Sequence, residues 1–216
     1  GLIGSNRADL GLHLRQSYFT RARFSTVAPP ITCLPAARAM PPVPVSADRP
    51  VFGFYDPEAD DGTLQFLLRA MDLTGPPGRF ELRIAPAALA QRVPEHAGHA
   101  TFVEAADPFD FVRGIDVLLV PDAHDRALPA IVAALIAHRT VIVPDTGAAI
   151  ELIDYGRRGV LHAAGSAYHF AMAINVMTQS WSNRPLTFEG IDTAVADTAP
   201  ERVARVFARA IRKAAR

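Results

Sequence analysis

Two polar clusters follow apolar, strand-like runs of this sequence and are its best candidates for ligand chemistry. The run Val51–Tyr55 leads into an aspartate, and the run Ile115–Pro121 leads into a polar loop with acidic, imidazole and guanidinium groups. Carboxylates accept hydrogen bonds from hydroxyl groups, and an arginine binds phosphate through its planar fork of N–H donors. The candidate ligand contacts are therefore Tyr55, Asp56, Asp122, His124, Asp125 and Arg126.

Arg126 is the cation we assign to any phosphate contact, and the sequence identifies no catalytic residue and no metal ligands. Asp125 fits equally well as the cap of the helix that follows, because aspartate is favoured at that position. A lone loop histidine such as His124 is more often solvated than bound to a ligand. His138 ends an apolar helix, where an interaction with the helix dipole is the simpler interpretation.

An alternation of apolar runs and helical patterns positions these clusters. Helices are predicted over Gly62–Leu73, Ala87–Arg92, Asp107–Arg113 and Ala130–Ala137, and a further helix opens after Gly165 and Ser166. Strands alternating with helices indicate an α/β fold with a doubly wound parallel sheet, whose ligands lie at the carboxyl ends of the strands. The predicted strands are Val51–Tyr55, Phe80–Ile84, Thr101–Glu104, Ile115–Pro121 and Thr140–Pro144.

Composition narrows the function classes. The 216 residues carry no net charge, so no global electrostatic argument favours nucleic acid as a partner. Cys33 is the single cysteine, which excludes a disulfide framework and favours a cytoplasmic location. The apolar run from Ala127 to Ala137 is far short of the ~20 residues that span a bilayer. The near-exclusive use of arginine, with Lys213 as the one lysine, is typical of a GC-rich bacterial genome.

Several alternative sites were weighed from the residues alone. The acidic run from Asp56 to Asp61 lacks the spacing of a calcium loop, so a solvated loop is the favoured interpretation. A phosphoacceptor receiver domain is excluded, because no lysine follows the strand Thr140–Pro144. The sequence contains neither a G-x-S-x-G nucleophile elbow nor a G-x-x-x-x-G-K phosphate loop.

The domain prediction rests on proline content and hydrophobic periodicity. Residues 29–50 hold seven prolines and are predicted to be an extended linker or hinge. Residues 51–185 form the predicted sheet domain, and residues 186–216 a helical extension. That extension has a capping box, Thr198 to Glu201, and the apolar stripe Val203, Val206, Phe207, Ala210 and Ile211.

The stretch "FDFVRGIDVLLVPDAHDRALPAIVAALIAHRTVIVPDTGAAIELIDYGRRGVLH" resembles the donor-nucleotide domain of the family 4 retaining glycosyltransferases of GT-B fold. Their pattern there reads roughly as a strand, "PS", "E-x7-E", "A-x-G-x-PV-I", "GG-x-x-E-x-I" and "G-x-L". The match covers residues 51 to 177, and residues 1–28 look like the end of the amino-terminal domain of that family. The resemblance implies a Rossmann-like half of a GT-B protein, with a carboxyl-terminal helix that crosses back to the hinge.

The same resemblance implies a function. A glycosyltransferase of this type moves a sugar from a nucleotide-sugar donor to a glycan or lipid-linked acceptor in polysaccharide or glycoconjugate synthesis. It retains the anomeric configuration and needs no metal and no cofactor, because the nucleotide sugar is a substrate. The absence of a spanning segment is compatible with peripheral membrane association.

The donor-binding motifs are degenerate in this chain. The family's diphosphate-binding arginine and lysine correspond to Pro57 and to Asp61 or Gly62, in a loop that is acidic and repels a diphosphate. Asp125 matches the first glutamate of the pair, but the ribose-binding second glutamate is replaced by Ala133.

Further positions depart from the pattern downstream. His138 stands at a position for a small residue, and Thr140 stands at that of the proline. "TGAAIELI" keeps Glu151 but has Ala148 for the second glycine. We expect Ala133→Glu with Gly62→Lys to raise nucleotide affinity if the pocket survives. Two functions follow: an active enzyme, or a non-catalytic glycosyltransferase-like binding or scaffold module.

Overall fold

The structure is a computed structural model that describes residues 2–4, 24–26, 48–75, 78–93, 100–122 and 124–181, with residues 205 and 208 as isolated helical positions. Most of the predicted hinge at 29–50 and most of the helical extension at 186–216 lie outside the described residues. The predicted extended hinge, the capping box and the crossing of the last helix therefore remain predictions.

A parallel six-stranded sheet is the framework of the described chain, and it confirms the predicted doubly wound α/β fold. Its order is β5-β4-β3-β6-β7-β8, with every neighbouring pair parallel. A separate parallel pair joins β1 (Leu2–Gly4) to β2 (Phe24–Thr26). The strands of the main sheet are β3 (Val51–Tyr55), β4 (Glu81–Ala85), β5 (Thr101–Phe102), β6 (Val117–Leu119), β7 (Thr140–Pro144) and β8 (Val160–His162).

Helices and short 3₁₀ segments connect the strands. The helices are α1 (Asp61–Asp72), α2 (Pro108–Arg113), α3 (Leu128–Ile136), α4 (Gly147–Leu152) and α5 (Ala167–Ser180). The 3₁₀ segments are Ala87–Arg92, Asp125–Ala127 and Asp154–Gly156. Three helices begin where the sequence provides a cap: the Asp60 side chain accepts from the Thr63 N–H at 2.7 Å, Asp107 from the Asp110 N–H at 2.9 Å, and Ser166 from the His169 N–H at 3.3 Å.

The boundaries correct some predictions. Ala87–Arg92 is a 3₁₀ segment, because its hydrogen bonds span three residues, as from Leu89 N to the Pro86 oxygen at 3.1 Å. The predicted strand Ile115–Pro121 pairs only over Val117–Leu119, and Thr101–Glu104 only over Thr101–Phe102. Strand β8 was not predicted, since three residues ending in a histidine give little strand signal.

Helix α3 is the most deeply buried helix of the described chain, as its uninterrupted apolar sequence predicts. Eight of its nine residues are buried, and only Pro129 is partly exposed. It packs with α2 and α4 on one face of the sheet, whereas α1 and α5 cover the other face. Both faces of the sheet are therefore covered, as in doubly wound domains generally.

A backbone strain marks the turn between α3 and β7. His138 has a φ of 55°, in the left-handed region that favours glycine, and its side chain is exposed. Its N–H donates to the Leu135 oxygen at 3.1 Å, so it closes the end of the helix.

Asp116 organises the opposite, amino-terminal edge of the sheet. Its carboxylate is buried, and Oδ2 accepts from the Val51 N–H at 3.0 Å. The second oxygen, Oδ1, lies 4.0 Å from Nη1 of Arg139. Arg139 also donates through Nε to the Val112 oxygen at 3.3 Å. This edge is held by buried polar contacts among the starts of β3, β6 and β7, away from the predicted ligand loops.

Candidate functional site

The two predicted clusters meet at the carboxyl edge of the sheet, because β3 and β6 are parallel neighbours. Phe52 pairs with Val117 and Gly53 with Leu118, so the loops after both strands leave the sheet side by side. A narrow crevice of about 10 Å³, enough for about one water molecule, lies between them. It is lined in part by Tyr55, Asp56, Pro121, Asp122 and Ala127.

An ion pair between Asp56 and Arg126 joins the two loops. The Arg126 Nε donates to Asp56 Oδ2 at 2.8 Å, across 70 positions of sequence. The Asp56 side chain is 9% exposed and the Arg126 side chain 30% exposed, so water screens this pair less than a surface pair. The interpretation of the acidic run as a solvated loop is therefore wrong for Asp56, although Glu58, Asp60 and Asp61 are exposed.

Asp122 is the centre of a second link between the loops. Its Oδ2 accepts a 2.5 Å hydrogen bond from the Thr63 hydroxyl in the first turn of α1. The same oxygen lies 3.5 Å from His124 Nε2, and the His124 side chain is half exposed. Thr63 is a site residue that the sequence did not reveal, since its partner lies 59 positions away. The loop after β6 is thus fixed to both the loop and the helix that follow β3.

The electrostatics of the edge are dominated by carboxylates. Partial burial opposes the charged form of Arg126, but its hydrogen bond with Asp56 and the charges of Asp56, Asp122 and Asp60 together raise its pKa. The backbone N–H of Thr63 lowers the pKa of Asp60, so that carboxylate stays ionised at neutral pH. Three acidic side chains therefore act on one guanidinium.

Tyr55 contributes a neutral phenol to the crevice. Burial first, and then the charge of Asp107, raise its pKa above the ordinary value. Its ring packs against Phe111 with centroids 5.5 Å apart. At neutral pH the hydroxyl is protonated and is a potential hydrogen-bond donor or acceptor.

The structure describes the side chain of Ala133 but not that of Asp125. Asp125 lies in the 3₁₀ segment before α3, but its side chain falls outside the described residues, so its capping and ligand roles both remain predictions. Ala133 is fully buried, with 0% exposure, within the core beneath α3. Position 133 is therefore closed to solvent. Glu151 and Ala148 lie in α4, and their side chains are likewise not described.

Two further polar residues near this edge were missed from the sequence. Arg92 contacts the acidic run, with its Nε 2.9 Å from Asp61 Oδ1 and a guanidinium nitrogen donating to the Ala59 oxygen. His162 is buried at the end of β8, with Nε2 3.0 Å from the Val120 oxygen and Nδ1 3.2 Å from the Ala163 oxygen. Chemistry-bearing residues whose partners are distant in sequence give no local signal.

His162 is held mainly in its neutral form. Burial is the largest influence and lowers its pKa, although the two carbonyl oxygens and Asp145 favour the charged ring. A neutral imidazole has only one N–H, so it donates to one of the two carbonyls at a time. Its ring also packs on Phe170, with centroids 4.4 Å apart.

Among the described residues, no group of three or more His, Cys, Asp and Glu side chains is arranged to hold a metal ion. Within the same residues, no helix is both long and apolar enough to cross a bilayer.

Comparison with known proteins finds the fold in solved structures. No protein-family model matches the chain, and no curated protein matches it. A glycosyltransferase from Rickettsia africae ESF-5 superposes with a TM-score of 0.68 at 13% identity, over 99% of this chain and 63% of that one. A TarM mutant from S. aureus, in complex with Fondaparinux, alpha-GlcNAc-glycerol and UDP, gives a TM-score of 0.70 at 12% identity, over 97% and 43%.

Anabaena Alr3699/HepE in complex with UDP-glucose gives a TM-score of 0.66 at 15% identity, over 98% of this chain and 63% of that one. This chain therefore spans about two-fifths to three-fifths of the length of these structures. Identities this low establish shared architecture rather than shared chemistry. The chain has the α/β fold found in solved glycosyltransferases.

Proposed function

We propose that this chain is the donor-nucleotide half of a GT-B glycosyltransferase of the family 4 type, with an impaired donor site. The observation that carries the proposal is the location of the polar cluster. The sheet order runs from β3 to β4 and β5 on one side and from β6 to β7 and β8 on the other, so the order reverses between β3 and β6. Ligands of doubly wound sheets bind at that switch point, outside the carboxyl ends of the strands.

The residues at the switch point are the predicted candidates. Asp56 and Arg126 form their ion pair there, and Tyr55 and Asp122 line the adjacent crevice. Solved structures with this fold include proteins in complex with UDP and UDP-glucose, which supports a nucleotide sugar as the ligand class. We propose Arg126 as the phosphate contact and Asp122, His124 and Asp125 as contacts to the donor.

The reaction proposed is transfer of the sugar to a glycan or lipid-linked acceptor in polysaccharide or glycoconjugate synthesis. It would proceed with retention and without a metal or a cofactor, in the cytoplasm of a bacterium and with peripheral attachment to a membrane if the acceptor is lipid-linked. The resemblance supports the reaction, whereas the single cysteine supports the cytoplasm and the near-exclusive use of arginine supports a bacterial source. Because this chain spans only part of the solved structures, the acceptor site belongs to the whole protein.

The impairment of the donor site follows from the charged groups that this edge of the sheet lacks. Gly62 stands in place of the diphosphate-binding lysine, and Ala133 is buried in place of the ribose-binding carboxylate. Each lost charge-assisted hydrogen bond removes about 1.5–3 kcal/mol of binding free energy. We therefore expect weak binding of nucleotide sugars.

The test is titration calorimetry of the chain with UDP, UDP-glucose and the corresponding GDP and ADP compounds. We expect dissociation constants weaker than about 100 µM, with Arg126→Met weakening binding further. Micromolar or tighter binding would show that the donor site is not impaired. A complete absence of heat and of thermal stabilisation at millimolar ligand would contradict nucleotide-sugar binding.

The second candidate is a non-catalytic glycosyltransferase-like scaffold module. The specific observation in its favour is that Asp56 already accepts from the Nε of Arg126, so the two loops are joined without a ligand. If the chain is a scaffold module, no nucleotide would change its thermal midpoint of unfolding. Arg126→Met would then lower stability without changing the affinity for any ligand. The two candidates therefore differ in whether Arg126→Met changes ligand affinity or only stability.

A further inference from the structure

The guanidinium of Arg126 lies beside the crevice, where it contacts the lining residue Asp56. Its neighbours determine which anions it could bind. Asp56 Oδ2 lies 2.8 Å from Arg126 Nε, so one face of the donor fork is already occupied by a carboxylate. Asp60 and Asp122 also act on the charge of Arg126. The remaining described cation of this region, Arg92, contacts Asp61 and the Ala59 oxygen.

The Asp56 carboxylate is fixed in this position by its own backbone and its neighbours. Its Oδ1 accepts from the Glu58 N–H at 2.9 Å, and the Asp56 N–H donates to the Ala85 oxygen at 3.3 Å. The side chain is 9% exposed, which leaves it little room to turn toward solvent. A phosphate that approaches the Nη groups of Arg126 therefore meets a fixed carboxylate on the same guanidinium.

We propose that Asp56 determines the charge specificity of this edge, because it occupies Arg126 and so selects against ligands that carry two phosphates. The inference rests on the proposed function and names the ligand class more narrowly. The favoured ligands carry one phosphate or none at the contact with Arg126, such as a nucleoside or a nucleoside monophosphate linked to a sugar. Repulsion by the carboxylates grows with each further negative charge on the ligand.

The experiment compares the original chain with Asp56→Asn, which keeps the size of the side chain and an acceptor for the Glu58 N–H. Calorimetry with uridine, UMP and UDP measures how affinity depends on the number of phosphates. We expect less than a twofold change for uridine, an intermediate gain for UMP, and a gain of about tenfold or more for UDP. Asp72→Asn, the same change at the far end of α1, should alter none of the three.

The affinities for uridine, UMP and UDP, compared with one another, distinguish charge specificity from a general structural effect. A gain or loss that is equal for uridine and UDP would overturn the proposal, because a general rearrangement of the crevice does not discriminate by charge. An unchanged affinity for UDP in Asp56→Asn would overturn it as well.

A second measurement keeps the inference independent of nucleotide binding. Butanedione modifies accessible, unpaired guanidinium groups, and peptide mass spectrometry reports the rate at Arg126 itself. We expect Asp56→Asn, but not Asp72→Asn, to raise that rate at least severalfold. If no nucleotide binds either protein, the proposed function fails. A raised modification rate in Asp56→Asn would still support the pairing of Asp56 with Arg126. An unchanged rate would overturn that pairing.

Discussion

The buried carboxylate of Asp116 accepts a hydrogen bond from the backbone N–H of Val51, 3.0 Å away, and thereby ties the start of β6 to the start of β3. These two strands are the neighbours whose opposite ends carry the ligand loops. A contact at the amino-terminal edge therefore helps to set the register on which the carboxyl-edge site depends.

Replacement of Asp116 should destabilise the fold. Asp116→Ala leaves a buried N–H of Val51 without its acceptor and removes the carboxylate near Arg139, whose side chain is 9% exposed. We expect a loss on the order of 3 kcal/mol in the free energy of unfolding, measured by urea denaturation. Asp72→Ala, at an exposed helix end, is the control and should stay within about 0.5 kcal/mol. A loss below 1 kcal/mol for Asp116→Ala would contradict this role.

Restoring the family's donor-binding residues should give two different results. Ala133 is fully buried, so Ala133→Glu places a carboxylate in the core and should lower stability by several kcal/mol without creating a ribose contact. Gly62 is exposed, and an added Cβ would lie 3.3 Å from Asp60 Oδ1, a tight contact that a shift of a few tenths of an ångström in that exposed carboxylate relieves. Gly62→Lys should therefore fold and bind UDP more tightly.

The two restorations are checked by thermal unfolding and by calorimetry with UDP. Gly62→Gln has a long side chain without the charge, so it separates electrostatic attraction from added contact area. Equal affinities of the lysine and glutamine variants would refute the electrostatic explanation. A stable Ala133→Glu variant would show that α3 can shift to admit the carboxylate.

His138→Gly should stabilise the protein, although it removes a side chain. The backbone of His138 has a φ of 55°, which costs an L-residue about 1 kcal/mol and costs glycine little. We expect unfolding to require up to about 1 kcal/mol more free energy, seen as a higher thermal midpoint. His169→Gly, inside α5, is the control and should destabilise by roughly 1 kcal/mol. Destabilisation by both changes would argue that the His138 side chain makes a stabilising contact.

Stability should fall as the pH is lowered below about 6.5, through His162. Burial lowers the pKa of His162 in the folded state, so below the unfolded pKa the unfolded chain binds a proton that the folded chain does not. This contribution is fully present above the unfolded pKa. It is lost as pH falls toward the depressed folded pKa, with a slope of at most about 1.4 kcal/mol per pH unit.

The pH dependence can be assigned to His162 by substitution. Urea denaturation at pH 5.5, 6.5 and 7.5 should show a smaller slope in His162→Gln than in the original chain. Asp145 and His169 also face this group, so Asp145→Asn and His169→Gln define their share of the slope. An identical slope in His162→Gln would attribute the effect to other groups.

The sequence was sufficient for five of the six strands of the main sheet, but not for β8 or for the contacts that complete the site. Strands such as Val51–Tyr55 and Thr140–Pro144 are buried apolar runs, so their apolar residues alone predict that these strands are buried. The parallel arrangement placed the loops after β3 and β6 together, as predicted. Thr63, Arg92 and His162 gave no local signal, because their partners lie 59, 31 and 42 positions away.

The same limit explains why Asp56 was interpreted incorrectly. An aspartate in a run of acidic residues has the composition of a solvated loop, and only its pairing with Arg126 across the sheet makes it buried. Ala133 shows the converse case. The alanine itself was visible in the sequence, whereas the closure of position 133 to solvent by packing was not.

The order of the sheet concentrates the entropic cost of folding at a single seam. Strands β3, β4 and β5 pair with neighbours along the chain, as do β6, β7 and β8, so both halves form from contacts of short range. The pairing of β3 with β6, at Phe52–Val117 and Gly53–Leu118, is the one in this sheet that joins the halves. It closes the longest loop, and loop closure costs more entropy as the loop lengthens. The pair Asp56–Arg126 spans that same seam, so a change in this pair acts on the step that unites the domain.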